Sequence, residues 1–205
     1  MTAAASMPAD QQETEPDSIE SRILDAALVQ FEKVGVKKTT IEDIARQAGV
    51  DRVTVYRRVG SRDDVVAAVV GRETSAVLVE IAGLTQRHDD IDDLVADIFV
   101  TVLTRWREHP LVNRMLALEP ERVLIKLTTE GAPVFAMCVA TTLAALQDAV
   151  RAGLLTDRTD LGTRAELLCR VVLGFVVGPA GIVSLETAAE LDAFARAYLV
   201  PIVTG

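Results

Sequence analysis

The chain has 205 residues, 50% of them apolar, a formal net charge of −9 and two cysteines, which allows one large or two small buried cores. Cys138 and Cys169 are isolated and form no CxxC, which argues against a zinc framework or a redox pair. The most apolar run, Leu167 to Val183, is broken by Arg170, Gly178, Pro179 and Gly181 and is too short to span a membrane comfortably, so a soluble cytoplasmic protein is expected.

Residues 1–17 are rich in Ala, Asp, Glu, Gln and Pro and contain no Lys or Arg. They read as a flexible acidic tail, and without a basic start or an apolar stretch they do not read as a signal peptide. The first helix follows, with Ile23, Leu24, Ala27, Leu28, Phe31 and Val34 making a broad apolar face that ends at Gly35. In the second, Ile41, Ile44, Ala45 and Ala48 recur at one-turn spacing. Thr39 or Thr40 can cap it, with Glu42 or Asp43 completing a capping box. Gly49 ends it where a left-handed backbone is needed.

Asp51 is a suitable N-cap for a third helix, accepting from the amide of Thr54. At about 100° per residue, Val55 and Val59 fall on its inward side and Val53, Thr54, Arg57 and Arg58 on the other. Arg52 and Tyr56 lie on the borders. Between Lys33 and Arg62 there are eight basic residues (33, 37, 38, 46, 52, 57, 58 and 62) and three acids (42, 43 and 51). The segment is therefore +5 in a chain of −9, which leaves −14 for the remainder. A basic island in an acidic protein points to a local polyanion, and duplex DNA suits it. Arginine pairs bidentately with guanine, and Val or Thr methyls meet the thymine methyl. Tyr56 can offer its hydroxyl to a phosphate. Lys37 and Lys38 are either non-specific phosphate attractors or solvated loop charges.

These pieces together resemble the DNA-binding domain of TetR/AcrR-type transcriptional regulators, over about Ser18 to Val70. The resemblance rests on ILDAALVQFEKVG (23–35), TTIEDIARQAGV (39–50), TVYRRV (54–59) and SRDDVV (61–66). It implies a helix-turn-helix at about 40–59 and a linker helix opening after it. It also implies phosphate contacts from Thr40 and Tyr56, recognition positions at Arg52, Val53, Thr54, Arg57 and Arg58, and a backbone contact from Arg62. Val59 stands where relatives usually have Phe. Asp51 stands where Ser is common, and Arg58 replaces the usual His or aromatic.

Beyond the island the pattern stays helical. A helix capped by Ser61 is expected to run to about Ala82 and stop near Gly83, and another spans roughly 90–107. Short helices open at Pro110 and Pro120, ending near Leu118 and Leu127. Longer ones follow over about 132–152, 161–177 and 186–203. The acids at 89–93 near His88 have a helix-dipole explanation, so no metal site is expected there.

The expected fold is all-α. Residues 18–70 form a three-helix DNA-binding domain, and residues 71–205 a helical ligand-binding and dimerisation domain. Candidate pocket residues are Phe99, Leu103, Trp106, Met115, Phe135, Met137, Cys138 and Phe175, with Arg105, Arg107, Asn113 or Arg170 as polar anchors. Ordinary core packing is the competing explanation for each. Apolar residues lie nearly all round the helix near Val171 and Phe175, and Gly174 and Gly178 allow close approach, so a second subunit is the natural cover. The resemblance implies pairing through the last two long helices, with candidates Val171, Gly174, Phe175, Gly178, Leu191, Phe194 and Tyr198. The leading functional expectation is a homodimeric regulator, a repressor by the family's habit, leaving a palindromic duplex when a small, mostly apolar molecule binds. An enzyme lacks any nucleophile–base pair or phosphate loop here, and no cofactor is expected. A DNA-compacting protein is disfavoured by the −14 outside the island.

Overall fold

The computed structural model describes residues 18–178, 181–183 and 185–205; the acidic tail expected at 1–17 lies outside them. Every regular element among the described residues is helical, so the fold is all-α as expected. Two compact units divide the chain, one ending at Val69 and the other beginning at Val70.

The first unit holds α1 (Ile19–Val34), α2 (Ile41–Ala48), α3 (Arg52–Arg58) and the opening turns of α4 (Arg62–Leu84). Ser18 caps α1 by accepting from the Ser21 amide at 3.1 Å. The helix ends at Gly35, whose φ of 90° suits a residue without Cβ. Ile23, Ala27, Phe31, Val36, Ile44, Val55, Val65 and Val69 form the interior, each no more than 1% exposed. Burying a side chain such as Phe31 stabilises by about 1.5–3 kcal/mol. In so small a unit a handful of such residues decides whether it folds.

The second unit adds α5 (Ile91–Glu108), α6 (Pro110–Leu118), α7 (Pro120–Leu127), α8 (Ala132–Arg151), α9 (Leu161–Val177), α10 (Ala188–Phe194) and α11 (Val200–Thr204). Pro110 and Pro120 open their helices, where the missing N–H has no intrahelical partner to lose. Asp90 caps α5 by accepting from the amides of Asp92 and Asp93 at 2.7 and 3.2 Å. Thr187 caps α10 in a reciprocal box with Glu190. The core gathers Leu94, Phe99, Leu103, Leu146, Leu161, Leu191, Leu199 and Val203. Phe99, Phe175 and Phe194 pack as a trio with centroids 5.1–6.1 Å apart.

Two helix limits depart from the sequence reading. α4 passes through Gly83 and ends at Leu84. Glycine weakens a helix interior without stopping it, and no turn is required at that point. The last helix is continuous but widens into a π turn over Ala195–Leu199 before α11. Pro201 explains the widening: it cannot donate to the carbonyl four residues back, and its ring would crowd that carbonyl.

α8 is the largest departure from expectation. It is long and apolar enough to cross a membrane by length and composition, with a mean hydropathy of 1.5, yet only 17% of that stretch is buried. Its neighbour α9 shows a similar pattern, with only Leu161 and Ala165 fully buried.

Candidate nucleic-acid interface

α2 and α3 present the island's polar face because their caps are strong and their apolar sides narrow. Thr40 and Asp43 satisfy each other's backbone: the Thr40 amide donates to Asp43 Oδ2 at 3.1 Å, and the Asp43 amide to the Thr40 hydroxyl at 3.2 Å. The Thr40 hydroxyl also donates to Asp43 Oδ2 at 2.6 Å. Hydrogen bonds from Thr40 therefore hold the Asp43 carboxyl below its usual range, and Arg46 adds to the effect. Gly49, at φ 67°, turns the chain into α3. Asp51 accepts from the Thr54 amide at 2.6 Å, and this amide lowers its carboxyl in the same way.

Only Val55 of α3 is buried. Arg52, Arg57 and Arg58 are exposed, Val53 is 71% and Tyr56 53% exposed, and Thr54 is half-buried. Val53 thus stands open among the exposed arginines of α3. Lys37, Lys38 and Thr40 are exposed before α2. The Tyr56 ring, which the sequence allowed to pack inward, faces outward.

Arg62 has a structural task that the sequence does not disclose. Its Nε donates to the Thr39 carbonyl at 2.9 Å and its Nη2 donates to the Val36 carbonyl. The guanidinium thus clamps the loop carrying Lys37 and Lys38, with 31% of its side chain exposed. Arg22 acts similarly, donating to the Ala48 carbonyl at 2.7 Å at the end of α2. Buried Thr39 joins them, its hydroxyl donating to the Gly35 carbonyl at 2.9 Å. These bonds reach 26 residues along the chain for Arg22 and Arg62, so helical periodicity carries no trace of them.

Residues 23–69 match the family of bacterial regulatory proteins called tetR. Over that segment the chain is similar to the tetR family. An HTH-type transcriptional regulator of Mycobacterium bovis is 38% identical over 104 residues, 51% of this chain and 53% of that protein. A Mycobacterium tuberculosis counterpart is 36% identical over the same shares. The chain thus spans about half the length of the curated relatives it matches. Among solved structures, the TetR-family repressor AlkX of Dietzia sp., implicated in biodegradation of n-alkanes, superposes with a TM-score of 0.71. It is 18% identical, covering 92% of this chain and 97% of its own. The R. erythropolis repressor QsdR gives 0.65 at 23% identity, covering 90% and 94%. At those identities the likeness is one of fold. The matched relatives are named as HTH-type transcriptional regulators.

The remaining predicted residues lie in the second unit. Phe99, Leu103 and Met115 are buried, and Phe99 stacks on Phe194 while Phe175 meets both rings edge-on. Trp106, Phe135, Met137, Cys138 and Phe175 are half-buried. Met137 lines an open groove between α4 and α8. Burial raises the thiols of Cys138 and Cys169. The four candidate anchors are all engaged. Arg105 holds Glu80 through two bonds at 2.9 and 3.0 Å, and Arg107 donates to the Leu185 carbonyl. Asn113 donates to the Arg107 carbonyl at 3.0 Å, and Arg170 pairs with Glu166 beneath the Phe135 ring.

Of the candidate interface residues, Leu191 is only 2% exposed inside its own chain and so offers nothing to a partner. Phe194 packs against Phe99 and Phe175, with Tyr198 beside it at 5.0 Å and 62% exposed. Val171 and Phe175 are half-buried, and Gly174 and Gly178 are exposed. A Cβ added at Gly174 would meet nothing within 4 Å. Beside α9, the long apolar helix α8 is itself poorly buried, with 17% of its apolar stretch covered.

Proposed function

We propose that this protein is a cytoplasmic, homodimeric DNA-binding repressor that leaves a palindromic operator when a small molecule with an apolar body binds its second unit. The observation that carries this reading is the outward face of α3. Three arginines, an open valine and an open tyrosine stand on a helix held by one buried residue and a carboxylate cap. Such a face has no packing purpose, and its groups match the major-groove edges of G·C and A·T pairs. Arg62 takes the part of a brace in this reading, setting the loop from which Lys37 and Lys38 reach phosphates.

Dimerisation is supported by the poor burial of α8 and α9. Leu167 is 47% and Val177 38% exposed, and a surface of that kind is best removed from water by its own copy. The pairing helices are then α8 and α9, in place of the last two. Two copies place two α3 helices for adjacent major-groove faces about 34–36 Å apart, which doubles the readout. Repression is the role named for AlkX and QsdR, and the same sign is proposed here.

Selection of preferred duplexes from a random library by the purified chain, at physiological salt, tests the reading. An enriched palindrome is the expected result. Enrichment of a lone half-site refutes the dimer, and no enrichment over bulk DNA refutes sequence-specific reading. Transcription from the selected site, with and without the protein, then separates repressor from activator.

A further inference from the structure

The cations on the outward face of α3 are unspent. Elsewhere in the chain arginines hold carboxylates: Arg105 with Glu80, Arg164 with Asp160, Arg170 with Glu166 and Arg196 with Asp192. Among the described residues, Arg52, Arg57 and Arg58 have no such ion-pair partner, and all three are exposed. Asp51 stands in the field of Arg57, but its carboxylate is committed to the Thr54 amide at 2.6 Å. A basic face left in this state is open to any anion that the chain itself can bring to it.

The sequence carries such an anion. Residues 1–17, outside the described residues, hold Asp10, Glu13, Glu15 and Asp17 and no Lys or Arg. They enter the first unit at Ser18, the cap of α1. One turn further on, Arg22 donates through Nη2 to the Ala48 carbonyl at 2.7 Å, and a Cβ at Gly49 would stand 3.5 Å from the same atom. The start of α1 is therefore fastened to the turn between α2 and α3, and Arg52 opens α3 just after that turn. α3 has seven residues and is about 10 Å long. The stretch from Asp10 to Asp17 can span up to about 29 Å. The acids thus begin beside the reading helix and can exceed its length.

We propose that the acidic segment, residues 10–17, occupies the α3 face in the absence of DNA, as an internal anion that a duplex must displace. The proposal rests on the reading of that face as DNA-binding and adds a regulation of it. A tethered group acts at an effective concentration of the order of millimolar, so weak pairing with three guanidiniums is enough to compete. The competition is electrostatic and fades as counterions screen segment and face alike. Duplex binding is therefore held down most at low ionic strength, which flattens the salt dependence of the chain relative to one without the four acids. Weakly bound bulk duplex loses occupancy first.

Two measurements compare the full chain with a variant carrying Asp10→Asn, Glu13→Gln, Glu15→Gln and Asp17→Asn. In fluorescence anisotropy with a random-sequence duplex, the variant is expected to bind about three- to tenfold more tightly near about 50 mM salt. The two proteins should converge as salt is raised. Amide resonances of residues 52–58, recorded without DNA, are expected to move on neutralisation, and a peptide of residues 1–17 added to the variant should move them back. Equal duplex affinity at low salt overturns the proposal. So does tighter binding by the variant with unmoved α3 resonances, since that pattern belongs to repulsion between the acids and DNA without contact. Resonances that follow protein concentration and ignore the four acids assign the face to a second copy, which also overturns it. Resonances that move in a protein binding no duplex keep the contact and refute the DNA reading. Sequence-selective duplex binding with unmoved resonances does the reverse.

Discussion

Replacing Arg62 by alanine separates two roles that a basic residue near DNA can have. The guanidinium donates to the carbonyls of Val36 and Thr39, which belong to residues no more than 1% exposed. A hydrogen bond to a charged group contributes about 1.5–3 kcal/mol, and a buried carbonyl left unpaired costs a similar amount. With 31% of the side chain exposed, water recovers part of the loss, so Arg62→Ala should destabilise the first unit by about 2–4 kcal/mol. In urea that is a fall in midpoint of about 1–2 M for a unit of this size. Circular dichroism follows the unfolding, and amide exchange over residues 35–48 locates it. The single tryptophan, Trp106, lies in the other unit and does not report on it. Arg62→Lys is the diagnostic companion: it keeps the charge but cannot reproduce the two-carbonyl fork. The reasoning is refuted if Arg62→Ala unfolds at the wild-type midpoint while losing DNA affinity that Arg62→Lys restores, since that pattern belongs to a phosphate contact.

Other substitutions probe the remaining parts. Arg57→Ala should cost about 1–3 kcal/mol of specific binding and relax one base position, read by repeating the duplex selection. Lys37→Ala should instead weaken binding to all duplexes alike and flatten the salt dependence by about one unit of slope. The caps set an acid limit: Asp43, Asp51 and Asp64 all have carboxyls lowered from 3.8 by hydrogen bonds to the folded chain. Their stabilisation is complete above that value and fades as pH falls through the lower folded values, so Asp51→Asn should narrow the difference in melting temperature between pH 6 and pH 3. Leu167→Glu places a charge on the open face of α9 without entering the core, and sedimentation should show monomers that bind the palindrome weakly; an unchanged dimer would move the interface elsewhere.

The first unit was legible because its determinants are local. Thr40 with Asp43, Gly49, and Asp51 with Thr54 lie within a few residues of each other, and each specifies a helix end by itself. Helix limits in the second unit were equally readable where proline sets them, at Pro110 and Pro120. What could not be read was which face meets which. From the sequence Phe99 and Phe175 are candidates for a cavity wall with core packing the favoured reading, and their packing with Phe194 is seen only in the structure. Arg22 and Arg62 were hidden for another reason: their acceptors are backbone carbonyls, which every residue possesses.

The bareness of α3 has a consequence for how such a protein changes over generations. Six of its seven residues contribute no fully buried side chain, and the seventh, Val55, points away from the reading face. If the proposed reading holds, mutation at 52, 53, 56, 57 or 58 alters which duplex is preferred while scarcely touching the folded state, since surface changes typically shift stability by no more than about 0.5 kcal/mol. Most proteins must trade robustness for novelty at their working residues. Here the two are carried by different side chains, so a duplicated copy can drift toward a new target without first passing through an unfolded ancestor.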